Sequence, residues 1–383
     1  MVAPSRARVI VVQEIVPHYR LRLFELLHQQ LASAGVDLKV VYGAPNAEQA
    51  AKHDLVELPA EIGLPVRNLW LGGKVLHQPV INRLLRADLA VLPNAAKYLP
   101  NYFFWLTGRR RSPRLGFWVY HTQQRAADRS IKETISRRMM RGASWWFAYT
   151  GSTRDYLLQT GAADERITVL NNSVDVAGFR ARLASVTADD LSRLSKQLGL
   201  DPKAPIGLFC GGLHRDKRLE FLFEALRCLH RQCPEFQLLV IGDGSCRHQV
   251  VQAAAQDRRI HYLGPLFGHD KAVCFRLAQL FLCPGLVGLG ILDAFAAGLP
   301  LVTTDLPIHS PEIDYLQHGV NGWMTPHDPQ AYADAVLDLL HAPVRRQALG
   351  QQALVDAGRH SIDAMAERYA DGILRCLTSP GSV

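Results

Sequence analysis

No stretch of this sequence offers paired cysteines, an acidic pair or histidine cluster at metal-ligand spacing, or an uninterrupted apolar run of bilayer length. Each absence narrows the reading. The seven cysteines (Cys210, Cys228, Cys233, Cys246, Cys274, Cys283 and Cys376) form an odd set without a Cys-x-x-Cys pair, and six of them fall between residues 210 and 283, mostly inside apolar runs. That fits buried reduced thiols better than a zinc site or a disulfide framework. With no ligand cluster, no metal is expected. Met1 to Arg8 leads straight into Val9-Ile10-Val11-Val12, without the long apolar core and small-residue cleavage site of a secretory signal, so a cytoplasmic location is expected. Leu277 to Val302 has the length of a membrane span and a single charge, Asp293. Its Pro284, Gly285, Gly288, Gly290, Gly298 and Pro300 instead read as strand, glycine loop, buried helix and turn.

What is present is enough apolar material for two cores: 383 residues, 48% hydrophobic and 20% charged. A formal charge of +8 calls for an acidic partner, whether nucleic acid, an anionic membrane face or a phosphorylated substrate. Short β-branched runs recur at Arg8–Ile15, Leu38–Tyr42, Leu89–Leu92, Gly116–Tyr120, Trp146–Tyr149 and Ile167–Leu170, with helical text between them. A second series follows at Ile206–Cys210, Leu238–Ile241, Ile260–Leu263, Leu280–Cys283 and Leu301–Thr304. Strand then helix, repeated, predicts a parallel sheet covered on both faces, here twice in tandem. The expected domains are 1–180 and 206–360, with the polar stretch 181–205, ending in Asp201-Pro202-Lys203-Ala204-Pro205, as linker and 361–383 as a terminal packing helix and tail. Leu219, Leu222, Phe223 and Leu226 predict a buried helical stripe, and Ile362, Met365, Tyr369 and Ile373 repeat the period behind Ser361 as N-cap.

Two doubly wound units facing each other would place ligands in a cleft at the C-terminal ends of their strands. In the second unit the first such loop is Gly211-Gly212-Leu213-His214-Arg215-Asp216-Lys217-Arg218. Glycines and clustered cations at a helix start suit a phosphate, although a solvated basic turn has the same composition. Gly242-Asp243-Gly244-Ser245 follows the next strand with the same logic, and alone it is only a turn. The loop Pro284 to Asp293 sets a carboxylate one turn into an apolar helix, where it needs partners such as ribose hydroxyls, or serves as a helix cap. Gly288-x-Gly290-x-x-Asp293 mimics a dinucleotide fingerprint without its last glycine and in the fourth strand–helix unit, which argues against a dehydrogenase.

Together with Leu170-Asn171-Asn172-Ser173-Val174-Asp175, Ser310-Pro311-Glu312 and Gly319-Val320-Asn321-Gly322, these segments resemble the family-4 glycosyltransferases of the GT-B fold, from about Gly116 to the end. The resemblance implies an α/β architecture of two Rossmann-like domains across a cleft, the N-terminal one for the acceptor and the C-terminal one for the donor. It also implies sugar transfer from a nucleotide diphosphate with retention of configuration, no cofactor and no bound metal. Lys217 matches the family lysine that stabilises the leaving diphosphate. Gly212 stands where an arginine is usual, making Arg215 the candidate substitute. Asp293 stands at the glutamate that holds the ribose, one methylene shorter, and Gly285 replaces the glutamate that touches the donor sugar. Donor contacts are then expected from Gly212, Gly242, Asp243, Gly244, Pro265, Gly285, Val287, Gly288, Leu289, Gly290 and Asp293.

On the acceptor side, His18, Tyr19 and Arg20 follow the first strand, and His121 matches the family histidine that faces the donor sugar, which makes it a third catalytic candidate beside Lys217 and Arg215. Basic and aromatic residues crowd Tyr102-Phe103-Phe104-Trp105, Arg109-Arg110-Arg111 and Arg125, Arg129, Lys132, Arg137, Arg138 and Arg141. They read either as a face held against an anionic bilayer, at the inner side of the cytoplasmic membrane, or as a solvated helix beside core aromatics. Nothing accompanies the charge that would recognise nucleic acid. The expected activity is a retaining hexosyltransferase using a UDP- or GDP-sugar and a glycan or lipid-linked acceptor in cell-envelope polysaccharide or glycoconjugate synthesis. The rival, motivated by Gly212 and Gly285, is a nucleotide-binding protein of the same shape without turnover.

Overall fold

The computed structural model describes residues 6–46, 55–107, 113–121, 131–140, 142–201 and 203–379. The chain divides into two compact units, Met1–Asn172 with Ile362–Val383, and Ser173–Ser361.

The strands of the first unit are β1 (Ala7–Gln13), β2 (Val36–Gly43), β3 (Gly63–Val66), β4 (Leu69–Leu71), β5 (Val75–His77), β6 (Leu89–Pro93), β7 (Arg114–Val119), β8 (Trp145–Ala148) and β9 (Ile167–Val169). Seven of them form one sheet in the order β3-β2-β1-β6-β7-β8-β9, every pair parallel. The remaining two, β4 and β5, make a separate antiparallel hairpin. Alternation along β1 serves two cores: Val9 and Val11 face one cluster, Ile10 and Val12 the other, so both faces of the sheet are covered. The helix Ile362–Thr378 closes one of these faces, with Met365, Tyr369 and Ile373 fully buried and the Tyr369 ring 4.7 Å from Phe147 and 5.1 Å from Trp118. Gly372 allows that approach, because a side chain there would run into Thr168.

The second unit carries β10 (Ile206–Cys210), β11 (Gln237–Ile241), β12 (Ile260–Tyr262), β13 (Leu280–Leu282), β14 (Leu301–Thr304) and β15 (Gly322–Thr325), again all parallel, in the order β12-β11-β10-β13-β14-β15. The order reverses between β10 and β13, which opens a crevice at their C-terminal ends.

The stretch 181–205 is not a linker. The boundary falls at Asn172, and helices Val176–Ala184 and Ala188–Leu198 both pack on helix Gly268–Leu277 of the second unit. The polar text that suggested a tether is the outer face of an amphipathic helix under a Thr187–Asp190 capping box. Short β3, the hairpin and β15 were not anticipated, since Gly63, Pro65 and Gly322 interrupt any apolar run.

Candidate functional site

The crevice of the second unit is bounded by the loops that leave β10 and β13, and these are tied together. Leu286 N–H donates to the Asp216 carbonyl at 2.8 Å, and Lys217 Nζ donates to the Leu286 carbonyl at 2.6 Å. Lys217 ends the 3-10 turn Arg215–Lys217, after which Arg218 takes a left-handed conformation (φ 55°), unusual for a side-chain-bearing residue. The lysine is therefore set at the strand-order reversal, half-buried, with part of its donor capacity satisfied by protein.

Gly285 is glycine because of this stitch: a Cβ there would collide with the carbonyls of Asp216 and Lys217. Gly288 and Gly290 are different, since added Cβ atoms would meet nothing closer than 3.6 Å. Gly242 and Gly244 of the β11 loop pack against the β10 loop, whereas an added Cβ on Gly211 would meet nothing within 4 Å. A side chain on Gly242 would enter the Gly211 carbonyl, and Leu213 N–H donates to the Asp243 carbonyl at 2.8 Å. Over this seam lies the His214 ring. Its Cδ2 is 2.9 Å from the Cβ position of Gly212, its Cε1 is 2.9 Å from that of Gly244, and Nδ1 pairs with Ser245 Oγ at 3.3 Å. The space above Gly212 thus belongs to an imidazole. Sequence reasoning passed over His214, and the bare glycines on both sides of it were the available signal.

Arg215 is exposed and faces elsewhere. With Arg218, Glu220, Glu224 and His327 it lines a cavity of about 550 Å³ along the start of helix Leu219–Leu229. Asp243 is exposed and pairs loosely with Arg247 at 3.8 Å, and Pro265 is exposed beyond β12.

Asp293 sits in the first turn of helix Gly290–Ala296 and does have a partner within the protein: Lys271 Nζ, 2.7 Å from Oδ2. Burial disfavours the Lys271 ammonium, but the attraction of Asp293 outweighs it and holds its pKa above the ordinary lysine value. Lys271 lies on a helix whose sequence showed no ligand signature, so only the structure reveals it. Val287 is fixed from below. Its N–H donates to His309 Nδ1 at 3.0 Å, while His309 Nε2 reaches the Thr304 carbonyl at 2.7 Å, which makes Nε2 the protonated nitrogen. Burial lowers the His309 pKa, consistent with a neutral ring. Leu289 is half-buried against the core of the unit.

In the first unit, His18 and Tyr19 are exposed in the short turn after β1, but Arg20 turns inward. Its guanidinium is 4.8 Å from the Trp118 ring centroid and donates to Tyr149 Oη at 3.2 Å. His121 is buried just past β7 and stacks on Tyr156 at 3.5 Å, with Arg137 on the same tyrosine. Arg109, Arg110, Arg111, Arg125, Arg129, Arg141 and the side chain of Lys132 lie outside the described residues. Among the described residues no cluster of three metal-ligating side chains occurs, and no helix is long and apolar enough to cross a membrane.

A family model described as "Glycosyltransferase Family 4" matches residues 22–177, and one described as "Glycosyl transferases group 1" matches residues 204–342. The D-inositol 3-phosphate glycosyltransferase of Pseudarthrobacter chlorophenolicus is 25% identical over 367 residues, covering 86% of this chain and 84% of its own. The phosphatidyl-myo-inositol mannosyltransferase of Mycobacterium leprae is 29% identical over 168 residues, 42% of this chain and 44% of its own. In fold, the chain is similar to Anabaena HepE, solved in complex with UDP, with a TM-score of 0.71 at 16% identity over 96% of this chain and 99% of that one.

Proposed function

The chain belongs to the family-4 glycosyltransferases, with the two doubly wound units of the GT-B fold and a nucleotide sugar as donor, and from that premise we propose that it moves a hexose from a UDP- or GDP-sugar, with retention, to a glycan or lipid-linked acceptor of the cell envelope. The observation that carries the donor assignment is the stitch across the crevice of the second unit, where Lys217 is held against the Leu286 carbonyl in the loop that continues to Gly288 and Gly290. As the sugar–phosphate bond breaks, negative charge grows on the diphosphate, and an ammonium fixed beforehand stabilises it without reorganising. Asp293 accepts from the ribose. The acceptor hydroxyl passes its proton to the departing phosphate on the same face, so no protein nucleophile is required. UDP is favoured because HepE was solved with it, and an inositol-containing or lipid-linked acceptor because the named relatives act on such molecules.

Thermal-shift screening with UDP, GDP, ADP and their sugar conjugates tests the donor, since a ligand at a hundred times its Kd stabilises by about 2.7 kcal/mol. Stabilisation by none of them refutes the donor site. Helix Leu99–Thr107 supports contact with an anionic bilayer, because Trp105 and Leu106 are 42% and 76% exposed and the basic run Arg109-Arg110-Arg111 follows in the sequence. Flotation with phosphatidylglycerol vesicles but not phosphatidylcholine vesicles, lost in a Trp105→Ser/Leu106→Ser variant, is the expected result.

A further inference from the structure

The carboxylate of Asp293 is held by one oxygen and open at the other. Oδ2 accepts from Lys271 Nζ, while Oδ1 has no protein partner among the described residues. The lysine itself is fixed. It rises from helix Gly268–Leu277, and its ammonium lies 4.9 Å from the Phe179 ring and 5.5 Å from the Phe275 ring. Both side chains of the pair are about one-fifth exposed, so the pair is partly open to solvent but does not separate freely into water. Burial pushes the neighbouring Cys210 thiol up to about 11, so at neutral pH it is uncharged and does not compete for the ammonium. Asp293 is also in the first turn of its helix, where its Cα is anchored by Ala297 N–H bonding to its carbonyl at 3.1 Å. A short side chain on a fixed backbone, with Oδ2 already engaged by a charged donor, leaves Oδ1 as its one unengaged oxygen.

A carboxylate that grips a ribose through both vicinal hydroxyls spends both oxygens on it. Here Oδ2 already serves the Lys271 ammonium, so a second hydroxyl would have to share that oxygen with a charged donor, while Oδ1 is unengaged. Resting on the donor-site reading above, we propose that Lys271 is a positioning residue that turns Asp293 into a single-oxygen acceptor, so that the site reads one hydroxyl of the donor ribose and not the pair. The lysine also neutralises the carboxylate before the nucleotide arrives, which spares the negatively charged donor a like-charge encounter.

The test is calorimetric titration of the full chain with UDP (or GDP, whichever binds), its 2′-deoxy analogue and its 3′-deoxy analogue. Wild-type protein is expected to lose about tenfold or more in affinity with one deoxy analogue and less than about twofold with the other. In Lys271→Met both oxygens are released, and the two analogues should be weakened alike. Lys271→Arg keeps a cationic donor and should restore the asymmetry. A helix-packing role alone would move the melting temperature without changing the ratio between the analogues. The proposal is overturned if the wild type penalises both analogues tenfold, or if folded Lys271→Met keeps the wild-type ratio. Should Lys271→Met not fold, the wild-type ratio and its retention in Lys271→Arg decide the matter. Tight binding of UDP with no penalty for either analogue would instead remove the ribose role of Asp293 itself, a failure of the donor-site reading that the same titrations tell apart.

Discussion

The Asp216 carbonyl fills the space into which any side chain on Gly285 would project. The same carbonyl accepts from Leu286 N–H at 2.8 Å, so the contact cannot be relieved without opening the seam between the β10 and β13 loops. Gly285→Glu, which restores the residue type usual in the family, is therefore expected to cost about 1–3 kcal/mol of stability by overpacking. It should also weaken nucleotide binding, because the displaced loop carries Lys217. Denaturant unfolding and a donor titration check both. A stable variant with faster transfer would show that the backbone here yields more readily than the packing implies.

Gly212 and His214 stand in a similar relation, with a side chain as the obstacle. The imidazole is 2.9 Å from the Cβ position of Gly212. Gly212→Arg alone should lose stability, whereas Gly212→Arg in a His214→Ala background should recover much of it. The expected coupling between the two changes lies in the range of about 0.5–3 kcal/mol found for residues in contact. Additive effects would mean that the arginine leaves by another route.

Asp293→Ala is expected to do two separable things. Loss of a charged hydrogen-bond partner should weaken nucleotide binding by about 1.5–3 kcal/mol. It also strands the Lys271 ammonium, which the structure pairs with this carboxylate, at a stability cost of about 3 kcal/mol. Adding Lys271→Met should return stability but not affinity. If Asp293→Ala binds the preferred nucleotide as tightly as the wild type, the ribose assignment is wrong whatever the melting temperature does.

The doubly wound architecture was legible because buried parallel strands must be written as short β-branched runs, and eleven of the thirteen strands in the two parallel sheets coincide with such runs. The loops at the strand ends were legible as candidates from their glycines, but the glycines carried a different meaning from the one assumed. Gly242, Gly244 and Gly285 are required by neighbouring protein atoms, whereas a Cβ at Gly288 or Gly290 would make only ordinary contacts. A sequence cannot separate these, since the partners, Gly211, His214 and Asp216, meet them only through the parallel register of β10, β11 and β13. Lys271 was invisible for the same reason: it comes from the helix before β13 and meets Asp293 from the helix after it. The linker was misplaced because a polar helical face and a tether have the same composition.

Four histidines of the second unit, His230, His261, His309 and His327, have pKa values lowered first of all by burial. Above the ordinary value of about 6.5 each is neutral folded or unfolded, and the stability is fully present. As the pH falls below that value the unfolded chain takes up protons that the folded chain refuses, so stability is lost toward the lower folded pKa values. A melting temperature level from pH 8 to 7 and falling from about pH 6.5 to 5 is expected. His309→Gln should reduce that slope, by at most about 1.4 kcal/mol per pH unit for its one proton. Stability that stays level down to pH 5 would contradict the burial argument.

Lys217 has two duties that one substitution would confuse. It ties the β13 loop through the Leu286 carbonyl at 2.6 Å, and it offers charge to a diphosphate whose own charge grows in the transition state. Lys217→Ala removes both duties and should lower kcat more than it raises the donor KM, by about 10²–10³ in rate, as for other preorganised electrostatic partners. Lys217→Gln helps to separate them, because it removes the charge but keeps an N–H donor, one bond shorter, on the side of Leu286. Rates as low as those of Lys217→Ala, with loop stability retained, would assign the loss to charge. Near-wild-type rates in Lys217→Gln would leave the lysine as a loop tie only. Arg215→Ala belongs in the same assay. Arg215 is exposed and lines the cavity with Glu220 and Glu224. A rate loss comparable to that of Lys217→Gln would show that Arg215 also serves the diphosphate. A cost under about 0.5 kcal/mol, the usual effect of an exposed residue, would remove Arg215 from the diphosphate role. Normal turnover by all three variants would mean that the diphosphate does not sit at this loop, and the charge argument would fail while the fold stood.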